Sequence, residues 1–468
     1  MNVDFATIQG NIVRGYGKPF VRHLVLRVKH PASARKWIGA TVGSDRTLAP
    51  AITNAEPWAE RPDTCFNIAL THVGFRALEV ASSTLQMFPE AFAVGMAARS
   101  AKLGDVGESA PDRWLPSLRR TDHVHVIASI AAKHAADLDR VQREVFFDLG
   151  STAFDLVGLP LDGAAFDGGV VHFGYRDSIS QPRFEGVHDQ TLSKDEEPLV
   201  PLGTILLGLE SPFEGVRWRV PEPLELGLNG TFNAFRVLAQ DAAGFEAYLD
   251  QAATEVLAHN AAFELLPAGA EGQVVPGGTR FDAMREVIAA KICGRWRNGT
   301  SLAASPGMPT PQSDVADNDF GYANDPDGLR CPIGAHVRRA NPRDGKIVQR
   351  IANNTRRIVR RGTPYGPVYS PANPDAERGL LGNFLCSDLG SQFESIQYDW
   401  INLGLQHPDI AGSNDPLLGI NNSESSRFEI PTRMGPIVLR GFPRFVQVRG
   451  GAYTFFPSLT ALRYLAGD

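Results

Sequence analysis

The sequence predicts an α+β protein built from two similar domains, each an antiparallel sheet with helices on one face. Four segments with alternating apolar residues are each followed directly by an amphipathic segment. Alternation with a period of two is typical of half-buried strands, and apolar spacing of three and four is typical of helices. Strand–helix units in two pairs indicate two split βαβ domains, which we place at residues 1–170 and 171–468.

Each of the four units is a strand followed by a helix. In chain order they are Arg22–Val28 with a helix over 32–37, Asp122–Val126 with 135–146, Phe232–Leu238 with 244–252, and Ala452–Phe456 with 459–465. In the second helix, Leu138, Val141 and Val145 mark the buried face.

Three long segments rich in Gly, Pro, Asp and Asn lie between these units, at residues 303–334, 363–378 and 403–431. Loops of this length in a compact domain are usually functional or disordered. The first two adjoin segments rich in arginine, which favours a functional role for these two loops. For 403–431 a surface excursion without a chemical role is an equal alternative.

Composition excludes several classes of function. The chain has 468 residues, 43% of them hydrophobic, which is enough for two ordinary domains or one large one. A net charge of -6 argues against a nucleic-acid or acidic-membrane partner. No stretch approaches the ~20 apolar residues of a membrane span, and the first residues show neither a basic and apolar leader nor twin arginines. We therefore predict a cytoplasmic protein.

The four cysteines are scattered, with no Cys-x-x-Cys pair and no spacing typical of zinc ligands. They are Cys65, Cys293, Cys331 and Cys386. Reduced, buried thiols are the simplest prediction.

The strongest chemical signal is one histidine, His336, surrounded by arginines. These are Arg338, Arg339, Arg343, Arg357, Arg360 and Arg361. A neutral imidazole can bind iron, while arginines can receive haem propionates and a bound peroxide. An earlier segment, residues 174–182, contains Asp177, a carboxylate suited to the opposite side of a haem.

These segments resemble the dye-decolourising peroxidase family. The matching segments run in the family's order along nearly the whole chain and are 8–16, 174–182, 294–299, 331–343, 357–366, 388–397 and 449–458. The resemblance implies a duplicated ferredoxin-like fold, bound haem b, hydrogen peroxide as oxidant, and dyes, phenols or similar compounds as one-electron donors. Without an export signal, it implies a cytoplasmic, bacterial-type member. A homodimer is compatible with the sequence, which does not decide between monomer and dimer.

The resemblance also implies roles for the haem-binding residues. The predicted set is His336, Arg338, Arg339, Arg343 and Asp388, with His336 as the iron ligand. Asp388 is expected to accept the other ring N–H of His336 and so raise its donor strength; its alternative role is to cap the helix that follows it. A thiolate of Cys331 is the rival iron ligand.

On the opposite face, the resemblance makes Asp177 and Arg360 the catalytic residues. Asp177 would transfer the proton of peroxide, and Arg360 would stabilise charge on the departing oxygen. Aspartate ordinarily ionises near pH ~3.9, so we expect an acid optimum. The alternatives are a turn aspartate and one more propionate-binding arginine.

Two positions depart from the family pattern. Ser178 replaces the usual glycine after the catalytic aspartate and alters the backbone's freedom there. It keeps open a haem storage or transfer protein with little turnover. Gly362 stands where some relatives have asparagine, which leaves Arg360 with more of the distal role.

Several other residues allow a functional and a packing interpretation. His123 and His125 resemble a metal pair but are better explained as a strand surface, whereas for His172 a haem-edge role and simple packing are equal alternatives. For the candidate electron relays Trp296, Tyr365 and Tyr453, core packing is favoured.

Overall fold

The computed structural model describes residues 3–43, 49–188, 198–213, 215–310, 318–347 and 353–467. In this part of the chain, nine strands form one antiparallel sheet and two more form a separate hairpin. The strands are β1 Phe20–Val28, β2 Thr64–Leu70, β3 Val126–Ala132, β4 Phe154–Leu156, β5 Leu161–Ala164, β6 Thr231–Gln240, β7 Val359–Tyr365, β8 Gly379–Cys386, β9 Arg427–Ile430, β10 Ile437–Arg440 and β11 Val446–Phe456.

The sheet consists of two halves with the same strand order. Along the sheet the strands run β4-β1-β3-β2 and then β11-β6-β8-β7. When the four strands of each half are numbered again in chain order, both halves have the order 4-1-3-2. The halves are joined where Leu70 of β2 pairs with Phe455 of β11. The predicted duplication with antiparallel strands is confirmed, although the two sheets are continuous. The boundary between residues 170 and 171 stays a prediction.

The α-helices lie between and after the strands. They are α1 Gly10–Val13, α2 Pro31–Val42, α3 His72–Ala77, α4 Ser82–Leu85, α5 Glu90–Val94, α6 Ser100–Leu103, α7 Pro116–Arg119, α8 Ala135–Val145, α9 Leu149–Ala153, α10 Leu224–Gly227, α11 Ala242–Leu257, α12 Ala262–Leu265, α13 Glu271–Val274, α14 Arg280–Cys293, α15 His336–Ala340 and α16 Leu459–Ala466. Two π-helical segments, Leu389–Glu394 and Ile396–Asn402, flank Ser395. None of the described helices is long and apolar enough to cross a bilayer.

Local sequence sets where the longer helices begin. Thr279 and Asp282 form a reciprocal capping box at the start of α14. The side chains of Asp241 and Ser458 accept backbone N–H groups at the starts of α11 and α16. Each cap satisfies an N–H group that has no partner within its helix.

Three of the four predicted strand–helix units are confirmed, with strands β1, β6 and β11. The second is shifted, because Thr121–His123 is a 3-10 turn and the strand begins at Val126. Residues 126–132 are almost all buried on both faces, so the strand reads as a continuous apolar run. Such runs do not alternate, which is why the pattern pointed to residues before it.

The sheet curls so that its two ends approach each other. β5 pairs with β1, and a Cβ atom added at Gly163 of β5 would lie 2.9 Å from the carbonyl oxygen of Pro364 in β7. A small apolar cluster fills the inside of the curl and includes Val25, Phe235 and Leu381. The helices cover the outside, where Trp37 of α2 packs on the first half.

A buried histidine lies inside the curl. His23 of β1 is 3% exposed, its Nδ1 is 2.8 Å from Ser129 Oγ, and its ring meets the edge of Phe235. Burial lowers the pKa of His23 to about 4. The neutral ring therefore stabilises the fold fully above pH ~6.5, and this contribution is lost as the pH falls toward 4.

We expect the free energy of unfolding to fall by about 3 kcal/mol between pH 6.5 and 4 on account of His23. Urea unfolding at several pH values measures this dependence. A His23→Gln variant should show a flatter profile than the wild type, while His134→Gln, which changes an exposed ring, should not. Equal slopes for His23→Gln and the wild type would contradict the assignment.

Candidate active site

One cavity lies against the outer face of the second half of the sheet. Strands β6, β7, β8 and β11 form one wall, and the opposite walls come from the start of α15, the π-helical segments and residues 171–182. Apolar side chains such as Leu238, Phe384 and Val448 line the sheet wall. Arginines interrupt this apolar lining at Arg295, Arg343, Arg356 and Arg360, among others. The cavity thus combines flat apolar walls with cationic groups.

His336 lines this cavity as the first residue of α15. Its Nδ1 lies 3.0 Å from Oδ2 of Asp415, a carboxylate with no exposed surface. No described residue forms a hydrogen bond to Nε2, which is left for a ligand in the cavity. An imidazole held this way at Nδ1 has a fixed orientation and a stronger donor at Nε2.

Asp415 is held as an anion by its surroundings. Burial alone would raise the pKa of Asp415, but His336, the positive charge of Arg339 and the backbone N–H of Leu418 outweigh burial and lower it. Its Oδ1 also accepts the N–H groups of Leu417 and Leu418 at 2.9 and 2.8 Å. The carboxylate is therefore ready to receive a hydrogen bond from the imidazole.

The prediction that Asp388 is the partner of His336 is wrong. The Asp388 carboxylate caps the first π-helical segment and accepts the N–H of Ser391 at 2.7 Å, which is its alternative role. The partner, Asp415, comes from the segment 403–431, for which a surface excursion was an equal alternative. The only sequence signal there was a carboxylate within a long Gly- and Asn-rich loop.

The predictions for Arg338 and Arg339 are also wrong, because neither side chain lines the cavity. Arg338 pairs with Asp325 at 3.0 Å and binds the carbonyl of Cys331 at 2.7 Å, which fixes the loop before α15. Arg339 donates to the carbonyls of Trp400 and Ser413. Both arginines of α15 therefore bind groups of the surrounding segments instead of facing the cavity.

Arg343 does line the cavity. It donates to Oδ1 of Asn318 at 2.6 Å, and its guanidinium lies 3.8 Å from the ring centre of Phe320. Arg295, whose role the sequence did not reveal, donates to the same Asn318 oxygen at 2.8 Å and also lies over Phe320. The two cations are held side by side, an arrangement suited to carboxylate groups.

Asp177 and Arg360 line the same cavity, on a loop and on β7. We call residues 174–182 the distal loop. The backbone N–H of Asp177 donates to Gly169 O at 2.9 Å and fixes this part of the loop. Ser178 adopts φ +61°, the left-handed region that favours glycine. Serine therefore keeps the backbone conformation that a glycine would adopt here, at the cost of local strain.

The cysteines do not compete with His336. Cys331 is buried outside the cavity, and burial raises the pKa of its thiol to about 11. Cys293 lines the cavity, but burial raises its pKa to about 12. Both are therefore neutral thiols rather than thiolate ligands.

Most of the remaining candidates are structural. His125 accepts the N–H of Val28 at 3.0 Å and lies beyond the 3-10 turn that contains His123, so the two do not share a strand face. His172 is buried, outside the cavity, with Nε2 2.8 Å from Tyr365 O. Trp296 and Tyr453 are almost fully buried. No group of three metal-ligating side chains is found in the described part of the chain.

Comparisons with known proteins show which proteins this chain resembles. The sequence profile described as "DyP dimeric alpha+beta barrel domain" matches residues 7–156. The dye-decolorizing peroxidase msp1 of Mycetinis scorodonius is 26% identical over 98% of this chain and 87% of its own length. A dye-decolorizing peroxidase in complex with 2,6-dimethoxyphenol superimposes with a TM-score of 0.79, at 26% identity, over 99% of this chain and 100% of that structure. The profile, the curated relatives and the solved structures all point to the dye-decolourising peroxidase family.

Two further comparisons extend the match. The multifunctional dye peroxidase of Amycolatopsis sp. is 27% identical over 98% of this chain and 95% of its length. The peroxidase of Auricularia auricula-judae has the same fold, with a TM-score of 0.82 at 23% identity over the full length of both chains. Together these likenesses indicate a haem peroxidase, an enzyme that uses a peroxide to oxidise a second substrate.

Proposed function

We propose that this protein binds haem b through Nε2 of His336 and oxidises phenols and dye-like aromatic compounds with hydrogen peroxide. The pairing of His336 with the buried Asp415 carries the proposal, because it gives the cavity one oriented nitrogen ligand. The rest of the cavity fits the same group, since a flat apolar macrocycle with carboxylates at its edge requires apolar walls and nearby cations.

Arg343 and Arg295 are the residues we assign to the propionates. They are cationic and fixed next to each other by Asn318 and Phe320. Arg357 also lines the cavity. When bound, haem would supply the two-electron reaction with peroxide and the one-electron oxidation of the donors. The protein's part is to bind the group, hold His336 and manage the protons of peroxide.

Proton transfer is assigned to Asp177. Its carboxylate accepts the proton of hydrogen peroxide and returns it to the oxygen that leaves as water. Arg360 donates N–H groups to that oxygen and stabilises the negative charge that forms there. Both side chains belong to elements that are tied together by hydrogen bonds, so their relative position is fixed before substrate arrives.

The reducing substrate is assigned by likeness to the relatives, one of which was solved with 2,6-dimethoxyphenol. A homodimer stays a prediction from the sequence. The cytoplasmic location and the bacterial type stay predictions from the sequence.

The test is an absorption spectrum of the protein purified with haem supplied during expression. We expect a Soret band that changes within milliseconds of adding one equivalent of hydrogen peroxide and returns when 2,6-dimethoxyphenol is added. A Soret band indifferent to peroxide would indicate haem storage or transfer instead. A protein without a Soret band would contradict haem binding altogether.

A further inference from the structure

One glutamine of the distal loop is bonded to the backbone of β7. Gln181 Nε2 donates to the carbonyl oxygen of Arg360 at 2.9 Å, and the Arg360 N–H donates to Gln181 Oε1 at 3.1 Å. β7 is the last strand in the order of the sheet. The amide side chain of Gln181 therefore fills the position that the backbone of a further strand would occupy at this edge.

The side chain of Arg360 also binds the distal loop. Its Nη2 donates to the carbonyl oxygen of Ser180 at 2.5 Å. Three hydrogen bonds thus connect Arg360 with two successive residues of the distal loop. We call this arrangement the Gln181 clamp. It ties the element that bears Asp177 to the element that bears Arg360.

The clamp lies close to a strained position. Ser178, at φ +61°, is between two anchors of the distal loop: the hydrogen bond from Asp177 N to Gly169 O on one side and the clamp on the other. A residue with a side chain leaves the left-handed region readily when nothing holds it there. On the C-terminal side of Ser178, the nearest hydrogen bonds are at Ser180, whose carbonyl accepts from Arg360 in the clamp and whose hydroxyl accepts from Asn318 at 3.3 Å.

We propose that Gln181 is a positioning residue that fixes the Asp177 carboxylate relative to the Arg360 guanidinium. This inference rests on the catalytic roles proposed above for those two residues. Gln181 also lines the cavity, but both ends of its amide are bonded to the backbone of Arg360, so we assign it to positioning and not to contact with peroxide. Its amide sets the distance between two groups that must act on the same peroxide, and a displacement of about 1 Å between such groups can cost up to 10²-fold in rate.

Gln181→Met removes two of the three hydrogen bonds of the clamp, because methionine has a similar length but can form neither bond to the Arg360 backbone. We expect the second-order rate constant for the reaction with hydrogen peroxide to fall by about 10- to 100-fold, with an altered pH profile and an unchanged Soret band. Gln142→Met is the matched control, since Gln142 binds Arg22 far from the cavity. It should react like the wild type.

Hydrogen exchange of the Arg360 backbone amide measures whether the clamp forms, independently of catalysis. In the haem-free protein, the backbone amide of Arg360 should exchange about tenfold faster in Gln181→Met than in the wild type, because this N–H donates to Gln181 Oε1 at the edge of the sheet. The amides of β8 should be unaffected. Unchanged exchange at Arg360 would show that the clamp does not form in solution and would overturn the proposal.

A double variant tests the link to Ser178. Glycine adopts the left-handed region without strain, so adding Ser178→Gly to Gln181→Met should restore the peroxide rate by about fivefold or more. Faster exchange at Arg360 together with a wild-type peroxide rate would mean that Gln181 only stabilises the loop, which also overturns the positioning role. A wild type that does not react with peroxide would instead refute the proposed function, while the exchange result would still report on the clamp.

Discussion

Replacing Asp177 with asparagine is expected to slow the reaction with hydrogen peroxide by about 10²- to 10⁴-fold. Asparagine has nearly the same shape and keeps the backbone N–H bond to Gly169, but it cannot accept the proton of peroxide. Stopped-flow measurement of the Soret change gives the rate constant directly. The Soret band before peroxide should match that of the wild type, because Asp177 is not assigned to haem binding.

Two further variants make this result specific. Asp375→Asn changes an exposed carboxylate and should leave the rate constant unchanged. Arg360→Ala should slow the reaction by about 10²- to 10³-fold through loss of charge stabilisation. If Asp177→Asn reacted as fast as the wild type while Arg360→Ala was slow, proton transfer would have to be assigned to a group other than Asp177.

Removing the carboxylate of Asp415 is expected to have the largest effect on stability. Asp415 is fully buried, and its negative charge compensates the buried positive charge of Arg339. Without the carboxylate, the Arg339 guanidinium would stay buried and lose this compensation. Loss of one partner of a buried pair typically costs about 3–5 kcal/mol. We expect Asp415→Ala to lower the free energy of unfolding by this amount, measured by urea denaturation.

The same variant should also weaken haem binding by about 10- to 100-fold, because His336 loses the partner that orients its ring. Titration of the haem-free protein with haem measures this affinity. Asp388→Ala is the control: it removes a cap worth about 1 kcal/mol and should leave the affinity unchanged. The opposite outcome, with Asp388→Ala weakening haem binding and Asp415→Ala not, would restore the assignment made from the sequence.

The parts of the fold that the sequence predicted are those with strong periodicity. β1, β6 and β11 alternate clearly, and α8 has a regular apolar face at Leu138, Val141 and Val145. β3 was misplaced because a strand buried on both faces has no alternation to detect. The joining of both halves into one sheet depends on a single pair of residues, Leu70 and Phe455, and no local pattern encodes a contact so distant in sequence.

The sequence identified residues of the cavity best where they lie within a recognisable segment. His336, Asp177, Arg343 and Arg360 all line the cavity. Asp415 lies 79 positions after His336 in a loop without a distinctive pattern, so its role required the folded chain. Arg338 and Arg339 have the same chemistry as Arg343, and only the direction of each side chain distinguishes them.

The repeated strand order shows one architecture serving two purposes. In the first half, Trp37 of α2 rests directly on Phe66 of β2 and Phe154 of β4, so the sheet face is filled by the chain's own side chains. In the second half, the corresponding face is left open as the cavity. A group bound there would fill the place that core side chains fill in the first half. A ligand that binds only the folded state stabilises that state by about 4 kcal/mol when the ligand concentration is a thousand times its Kd. The yield of intact protein in a cell would then follow its haem supply.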